Sequence, residues 1–180
     1  MNMKSLIIFK GKYGATAQYA RWLADELNFP VHKSDDNIDL KSTAAELIVI
    51  GTSIYIGKLQ ITPWLKNNLA SLRDARIFLF LVSGTPANES EKLEVAIRNG
   101  VPEELQKNMT VFFLPGRLRI DKLSWKDRFM LKMGARLTKE PVAKKAMLTD
   151  YDHVNKENLK PVLESVRAYY LENAKTVAVS

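Results

Sequence analysis

Residues 4–27 read KSLIIFKGKYGATAQYARWLADEL. From Lys4 to Phe9 the chain is short and apolar at its centre, the pattern of a buried strand. Gly11 and Gly14 follow at once and allow tight backbone turns. Between Thr16 and Leu27, Ala17, Ala20, Leu23, Ala24 and Leu27 fall at helical spacing, and Asn28 and Pro30 bring the helix to a stop. Strand, glycine-containing turn and helix in immediate succession form a βα unit. The turn itself, KGKYGAT from Lys10 to Thr16, holds the parts of a phosphate cradle: two glycines, a helix start with unpaired N–H groups and partial positive charge, and the Thr16 hydroxyl. It is not GxGxxG, because Gly11 and Gly14 give GxxG, and no Gly-Lys-Ser/Thr makes it a P-loop. Taken alone, it also suits a plain βα turn.

Outward from this unit the same alternation continues. Glu46–Gly51 (ELIVIG), Arg76–Val82 (RIFLFLV) and Thr110–Leu114 (TVFFL) read as buried strands, and Val31–Ser34 as a weaker edge strand. Helices are expected over Thr62–Leu72, Glu89–Arg98, Pro102–Lys107 and about Asp152–Glu172. Continuous apolar strands alternating with helices of this length specify an α/β fold, a doubly wound five-stranded parallel sheet with helices on both faces. The 180 residues suit a single domain over 1–180. Ligands of such sheets gather at the carboxyl ends of the strands. The loops to inspect are therefore Lys10–Thr16, Thr52–Ile61, Ser83–Glu89 and the chain from Pro115 onward.

Composition removes several classes of chemistry. With 46% hydrophobic and 26% charged residues the chain is globular. It has no cysteine, so thiol nucleophiles, disulfides and cysteine-held clusters are excluded. His32 and His153 lie far apart without ligand spacing, and no metal site is expected. The longest apolar run, Ile77–Val82, is far short of the roughly 20 residues that cross a bilayer. MNMKSLIIFKGK returns to lysine after four apolar residues and is not a signal peptide, so a cytoplasmic location is expected.

The net charge of +7 is localised. Between Gly116 and Lys145 stand ten Lys/Arg against three acids, whereas the other 150 residues hold seventeen of each sign. A basic helical insert at about 116–145, with a local anionic partner, follows. Its core, GRLRIDKLSWKDRFMLKMGARLTKE from Gly116 to Glu140, contains SWKD at Ser124–Asp127, which matches a capping box. A helix is expected from Trp125 to a point before Pro141. Trp125, Phe129, Met133 and Leu137 recur every four residues, with Met130 beside them; Arg128, Lys132 and Lys139 lie largely off that stripe, and Arg136 interrupts it. Three readings compete: a stripe packed on the domain beneath a solvated basic face, a contact with an anionic membrane surface or ligand, and nucleic-acid binding. The last lacks any accompanying motif, and no nucleic-acid partner is expected.

On these residues the chain resembles the flavodoxin superfamily, whose first loop holds the phosphate of FMN. The matching residues are IIF at Ile7–Phe9, then Gly14, Thr16 and Ala20, with Gly11 standing where Ser or Thr is usual and Trp22 where an aliphatic is. The resemblance implies FMN as cofactor, with its phosphate at Lys10, Gly11, Lys12, Tyr13, Gly14, Ala15 and Thr16. It places the ring against Thr52, Ser53, Tyr55 and Gly57 of the second loop and against backbone groups of Ser83, Gly84 and Thr85 of the third. The third loop, SGTPANES, has no aromatic residue, where electron-transfer flavodoxins commonly stack one; an open ring face suits a planar substrate or quinone.

The insert, followed by KKAMLTDYDHV, is similar to that of the menaquinone-dependent protoporphyrinogen IX dehydrogenases, in Trp125, Asp127 to Met130, Lys132, Thr149 and Asp150. In that family a short strand ending in Thr-Asp precedes the last helix. This resemblance implies oxidation of protoporphyrinogen IX with a quinone as acceptor. Arg117, Arg119, Trp125, Arg128, Phe129, Lys132 and Arg136 would contact the propionates or an anionic membrane, with the protein peripheral at the inner face of the cell membrane. An electron-transfer flavodoxin without a small-molecule substrate and a general FMN quinone reductase stay open beside it. The catalytic acid or base and the oligomeric state are not assigned.

Overall fold

The first βα unit forms as its residues direct: β1 (Ser5–Lys10) runs straight into the glycine turn and α1 (Ala15–Leu27). In this computed structural model, which describes residues 3–84 and 90–179, the chain continues through β2 (Val31–Lys33), α2 (Leu40–Thr43), β3 (Leu47–Tyr55), β4 (Lys58–Leu59), α3 (Thr62–Asn67) and α4 (Leu69–Leu72). Then come β5 (Arg76–Ser83), α5 (Ser90–Gly100), α6 (Glu103–Gln106) and β6 (Met109–Pro115). The insert contributes β7 (Arg117–Leu118), α7 (Trp125–Leu137), α8 (Pro141–Met147) and β8 (Tyr151–Asp152), and α9 (Lys160–Val179) closes the fold.

The main sheet has the order β2-β1-β3-β5-β6. These strands pair in parallel, for example Ile7 with Val31 on one side and Val49 on the other. Alternation along each strand sends successive side chains to opposite faces. Leu6, Ile8, Ile48 and Ile50 pack with Leu65, Leu72, Leu93 and Leu105 on one face. Ile7, Phe9, Val49, Phe78 and Phe80 pack with Tyr19 and Leu23 of α1 and Val162 and Val166 of α9 on the other. Both faces are covered, which is why the strands read as unbroken apolar runs.

Four expectations change. The helix expected over Thr62–Leu72 is two pieces, because Asn68 leaves helical geometry (φ −109°, ψ 11°) and its side-chain amide donates to the Trp64 carbonyl at 2.9 Å. Strand β3 runs past Gly51 through Tyr55 and turns back as β4, pairing Ile54 with Leu59 and Tyr55 with Lys58. Thr149 and Asp150 lie before the short strand rather than at its end: the Thr149 hydroxyl bonds the Lys145 carbonyl at the end of α8, and the Asp150 carboxylate takes the Ile120 N–H at 2.9 Å. Asp152 therefore sits in β8, paired with β7, and the last helix begins at Lys160 after a 3-10 turn at Lys156–Leu159.

Candidate functional site

The strand order reverses between β1 and β3, and a cleft of about 160 Å³ opens there at the carboxyl ends of the strands. Lys12, Tyr13, Ala15 and Thr16 line it from the first loop; Ser53, Ile54, Tyr55 and Gln60 from the β3–β4 hairpin. Val82, Ser83 and Gly84 come from the end of β5, and Gly116, Arg117 and Tyr151 from the base of the insert.

In the first loop, Gly14 takes φ +86° immediately before α1, a left-handed conformation that favours glycine, and no side chain caps the helix start. The first amides of a 13-residue helix are thus left for an anion. Gly11 is fixed by proximity, since a Cβ there would stand 2.6 Å from the Cβ and Oγ1 of Thr16. Having glycine in place of a hydroxyl residue lets the loop close onto Thr16, which is buried. Ala15 is buried beside it. Lys10 lies apart from the cleft lining and pairs with Asp35 at 2.5 Å, which holds the Asp35 carboxyl below its ordinary value.

The second loop is a hairpin rather than open chain. Its tip, Ile56 and Gly57, has positive φ at both residues (51° and 69°), the geometry that matches the twist of two-residue hairpins. Thr52 is buried and its hydroxyl accepts the Ile61 N–H at 3.2 Å, which fixes the hairpin rather than facing the cleft. The Ser53 hydroxyl donates to Gln60 Oε1 at 2.6 Å, so both polar groups present themselves together at the cleft wall. Gly57, at the hairpin tip, is not part of that wall.

Above the cleft the two loops meet the insert at one carboxylate. Asp127, on the first turn of α7 and only 8% exposed, accepts from the Tyr13 hydroxyl and, at 2.5 Å, from the Tyr55 hydroxyl. Lys12 Nζ lies 2.6 Å from Asp127 Oδ2, 3.2 Å from the Tyr55 hydroxyl and 4.2 Å above the Tyr55 ring. The adjacent carboxylate raises the Lys12 pKa above its ordinary 10.5 and keeps the ammonium charged. Ser124 caps α7 by accepting the Asp127 N–H at 3.2 Å, as the SWKD pattern requires. The reciprocal half of the capping box is absent: Asp127 turns to the loops, and the Ser124 N–H points to the Tyr13 hydroxyl at 3.5 Å.

The third wall is also completed from the insert. Ser83 and Gly84 reach the cleft, whereas Thr85 lies outside the described residues. Tyr151 of β8 stands against Gly84 so closely that a Cβ on Gly84 would run into the Tyr151 hydroxyl. Burial raises the Tyr151 pKa, so the hydroxyl stays protonated as a donor, and its ring stacks on His153 at 5.2 Å. Arg117 lines the same side, donating to Gln18 and lying 3.5 Å from Asp152.

A family model described as the flavodoxin domain matches residues 6–145 of this chain. The chain belongs to the flavodoxin-domain family. Among solved structures it is similar to a flavodoxin from the domain Archaea, at 20% identity over 71% of this chain and 90% of that one, with a TM-score of 0.41. It is also similar to a flavoprotein in complex with FMN from Lactobacillus acidophilus, at 17% identity over 63% and 93%, with a TM-score of 0.45. Among curated protein sequences no match is found.

In this flavodoxin domain the cleft fits the needs of a flavin mononucleotide. The uncapped start of α1, Gly14, Thr16 and Lys12 suit a phosphate ester; Tyr55, Gln60, Gly84 and Tyr151 offer ring contacts and hydrogen-bonding groups on two sides. Asp127, Gln60 and Tyr151 were not among the residues assigned to cofactor, substrate or membrane from sequence. Asp127 carried a signal, its place in SWKD, but one that pointed to a helix cap; Tyr151 lies 67 residues beyond the Gly84 it touches and carried none.

Of the insert residues expected to contact substrate or membrane, Arg117 alone lines the cleft. Arg119 is half exposed, 3.9 Å from Asp152, and Arg128 turns back to the Asp121 carbonyl at 3.0 Å. Lys132 and Arg136 are exposed on α7. Trp125 (75%), Phe129 (62%) and Leu137 (78%) are also exposed, with Met130 and Met133 beside them. The buried side of α7 is formed by Asp127 and Ala135, with Leu131 and Gly134 half-buried between them. The apolar stripe thus faces away from the domain.

Proposed function

We propose that this flavodoxin domain binds FMN and oxidises protoporphyrinogen IX to protoporphyrin IX, delivering the electrons to a quinone. The observation that carries the reading is the outward stripe of α7, anchored through Asp127 to the loops that line the cofactor cleft. A helix that exposes Trp125, Phe129, Met133 and Leu137 beside Lys132 and Arg136 is suited to apolar ligands with anionic ends and to anionic lipid surfaces.

When bound, the flavin would supply two-electron redox chemistry. The chain's own groups supply position and field. The amides at the start of α1 and Lys12 would hold the phosphate; Gln60, with the Ser53 hydroxyl on it, orients polar contacts at the ring edge. Tyr151 stays protonated and is available as a donor on the opposite wall. Arg117, held by Gln18 and Asp152, stands where a propionate of the substrate would approach the cleft from the insert side. Conversion to the porphyrin removes six electrons and six protons, so three two-electron turns are needed, each passing its electron pair to one quinone and its protons to quinone and solvent. In each turn the puckered porphyrinogen would be held against an open ring face, and no side chain is assigned as acid or base.

Porphyrin fluorescence tests this. FMN-loaded protein given protoporphyrinogen and menadione is expected to produce porphyrin faster than free FMN with menadione. Rapid reduction by a ferredoxin reductase with no porphyrin formed above that background would replace the reading with electron transfer between proteins.

A further inference from the structure

The enclosed part of the cleft is small. At about 160 Å³ it falls below the roughly 300 Å³ at which small-molecule pockets begin. At its edge stand the groups gathered on Asp127. Lys12 and Tyr13 belong to the phosphate loop, Tyr55 to the ring-side hairpin, and Asp127 to the insert, so a single carboxylate ties three segments distant in sequence. Lys12 is the one cation in this knot, and Asp127 already neutralises it at 2.6 Å. A phosphate monoester at the start of α1 would draw on the same ammonium, with more charge and more acceptor oxygens.

We infer that Asp127 is a positioning residue that competes with the phosphate ester for Lys12, and that ester binding therefore loosens the docking of α7 on the cleft. The identity of the ester as FMN rests on the flavin reading above; the competition between carboxylate and phosphate does not. Linkage makes the effect reciprocal: whatever phosphate takes from the docking of α7, docking takes from the affinity for phosphate. The competition acts on the phosphate and not on the ring, so it distinguishes FMN from riboflavin. A carboxylate that merely held the fold together would affect the two ligands alike.

The test uses the full chain, freed of flavin, as wild type, Asp127→Asn and Lys12→Gln. Asparagine keeps the shape of the carboxylate and can still accept from a tyrosine hydroxyl, while losing the charge that holds Lys12. Asp127→Asn is expected to raise the ratio of FMN affinity to riboflavin affinity by roughly fivefold or more. Inorganic phosphate is expected to speed amide hydrogen exchange across residues 125–137 in the wild type. In Asp127→Asn that exchange is fast from the start and phosphate changes it little; in Lys12→Gln it ignores phosphate.

An unchanged FMN-to-riboflavin ratio, or exchange across α7 that phosphate does not alter in the wild type, overturns the inference. Should Asp127→Asn fail to fold, the wild type and Lys12→Gln decide by their response to phosphate. FMN binding with α7 indifferent to phosphate rejects the competition and keeps the flavin reading. Phosphate-sensitive exchange in a protein that binds no flavin upholds the competition and rejects FMN.

Discussion

Gly11 and Gly84 set how closely the walls of the cleft approach. Each faces a neighbour that leaves no room for a Cβ: Thr16 in the first case, the Tyr151 hydroxyl in the second. Replacing Gly84 by Ala is expected to push the Tyr151 hydroxyl aside and lower stability by about 1 kcal/mol, the low end for an added methyl group, because the atom met is the free end of a side chain and Gly84 is itself exposed. Tyr151→Phe, by removing the atom that clashes first, should recover part of that loss in the double mutant; independent, additive effects in thermal denaturation would show that the two residues do not meet in solution. Gly11 was legible in the sequence as a turn glycine, though not as the close neighbour of Thr16 five residues on. Gly84 was legible only as a member of a loop, since Tyr151 reaches it through the pairing of β7 with β8. Asp127 was read as a cap because local spacing speaks only of local partners; its neighbours Tyr13 and Tyr55 lie 114 and 72 residues away.

Among the elements, the five parallel strands and α1 were readable from pattern, because burial in the sheet leaves an apolar run and burial on one side leaves helical spacing, whereas the short strands β4 and β7 carry no such pattern. The fate of α7 was not readable either. Its stripe was open to packing on the domain or to an exposed contact, and the helix docks through Asp127, Leu131 and Ala135 and turns the stripe outward. Periodicity identifies an apolar face without saying what covers it.

The packing of α1 against the C-terminal segment has its own electrostatic signature. Glu26 lies 2.7 Å from Lys156 and 3.2 Å from Arg167 of α9, and these cations, Lys156 foremost, hold its carboxyl below the ordinary 4.5. A depressed carboxyl contributes stability that is whole above the unfolded value and is lost as pH falls through the folded one. Glu26→Gln should therefore lower Tm at about pH 6, and the difference from wild type should shrink on acidification below about pH 4.5. A gap of constant size down to about pH 3 would mean that the pair contributes nothing through its charge.

At the scale of the whole molecule, charge and apolar surface coincide. The entire net charge of +7 resides in the segment from Gly116 to Lys145, and the exposed Trp125, Phe129 and Leu137 lie in the same segment. Among the described residues no helix is long and apolar enough to cross a membrane, so any lipid contact would be along a surface. Each basic side chain near an anionic surface is worth about 1 kcal/mol, screened by salt. Vesicles rich in anionic lipid are expected to retain the protein at low salt and release it at high salt. Reversing the charge of Lys132 and Arg136 should weaken retention by roughly thirtyfold or more, from the loss of two such contributions and the repulsion added to it. Equal retention of the variant would show that α7 does not meet the lipid.

The account as a whole stands on the cleft between the first loop, the β3–β4 hairpin and Tyr151 being a flavin site. Titration of the flavin-free protein with FMN, followed by visible absorbance and quenching of flavin fluorescence, tests it most directly. Saturable binding of one FMN per chain, weakened when Gly14 is replaced by a residue that resists its φ of +86°, is the predicted result. A protein that stays colourless, with free-flavin fluorescence undiminished at every FMN concentration, would contradict it.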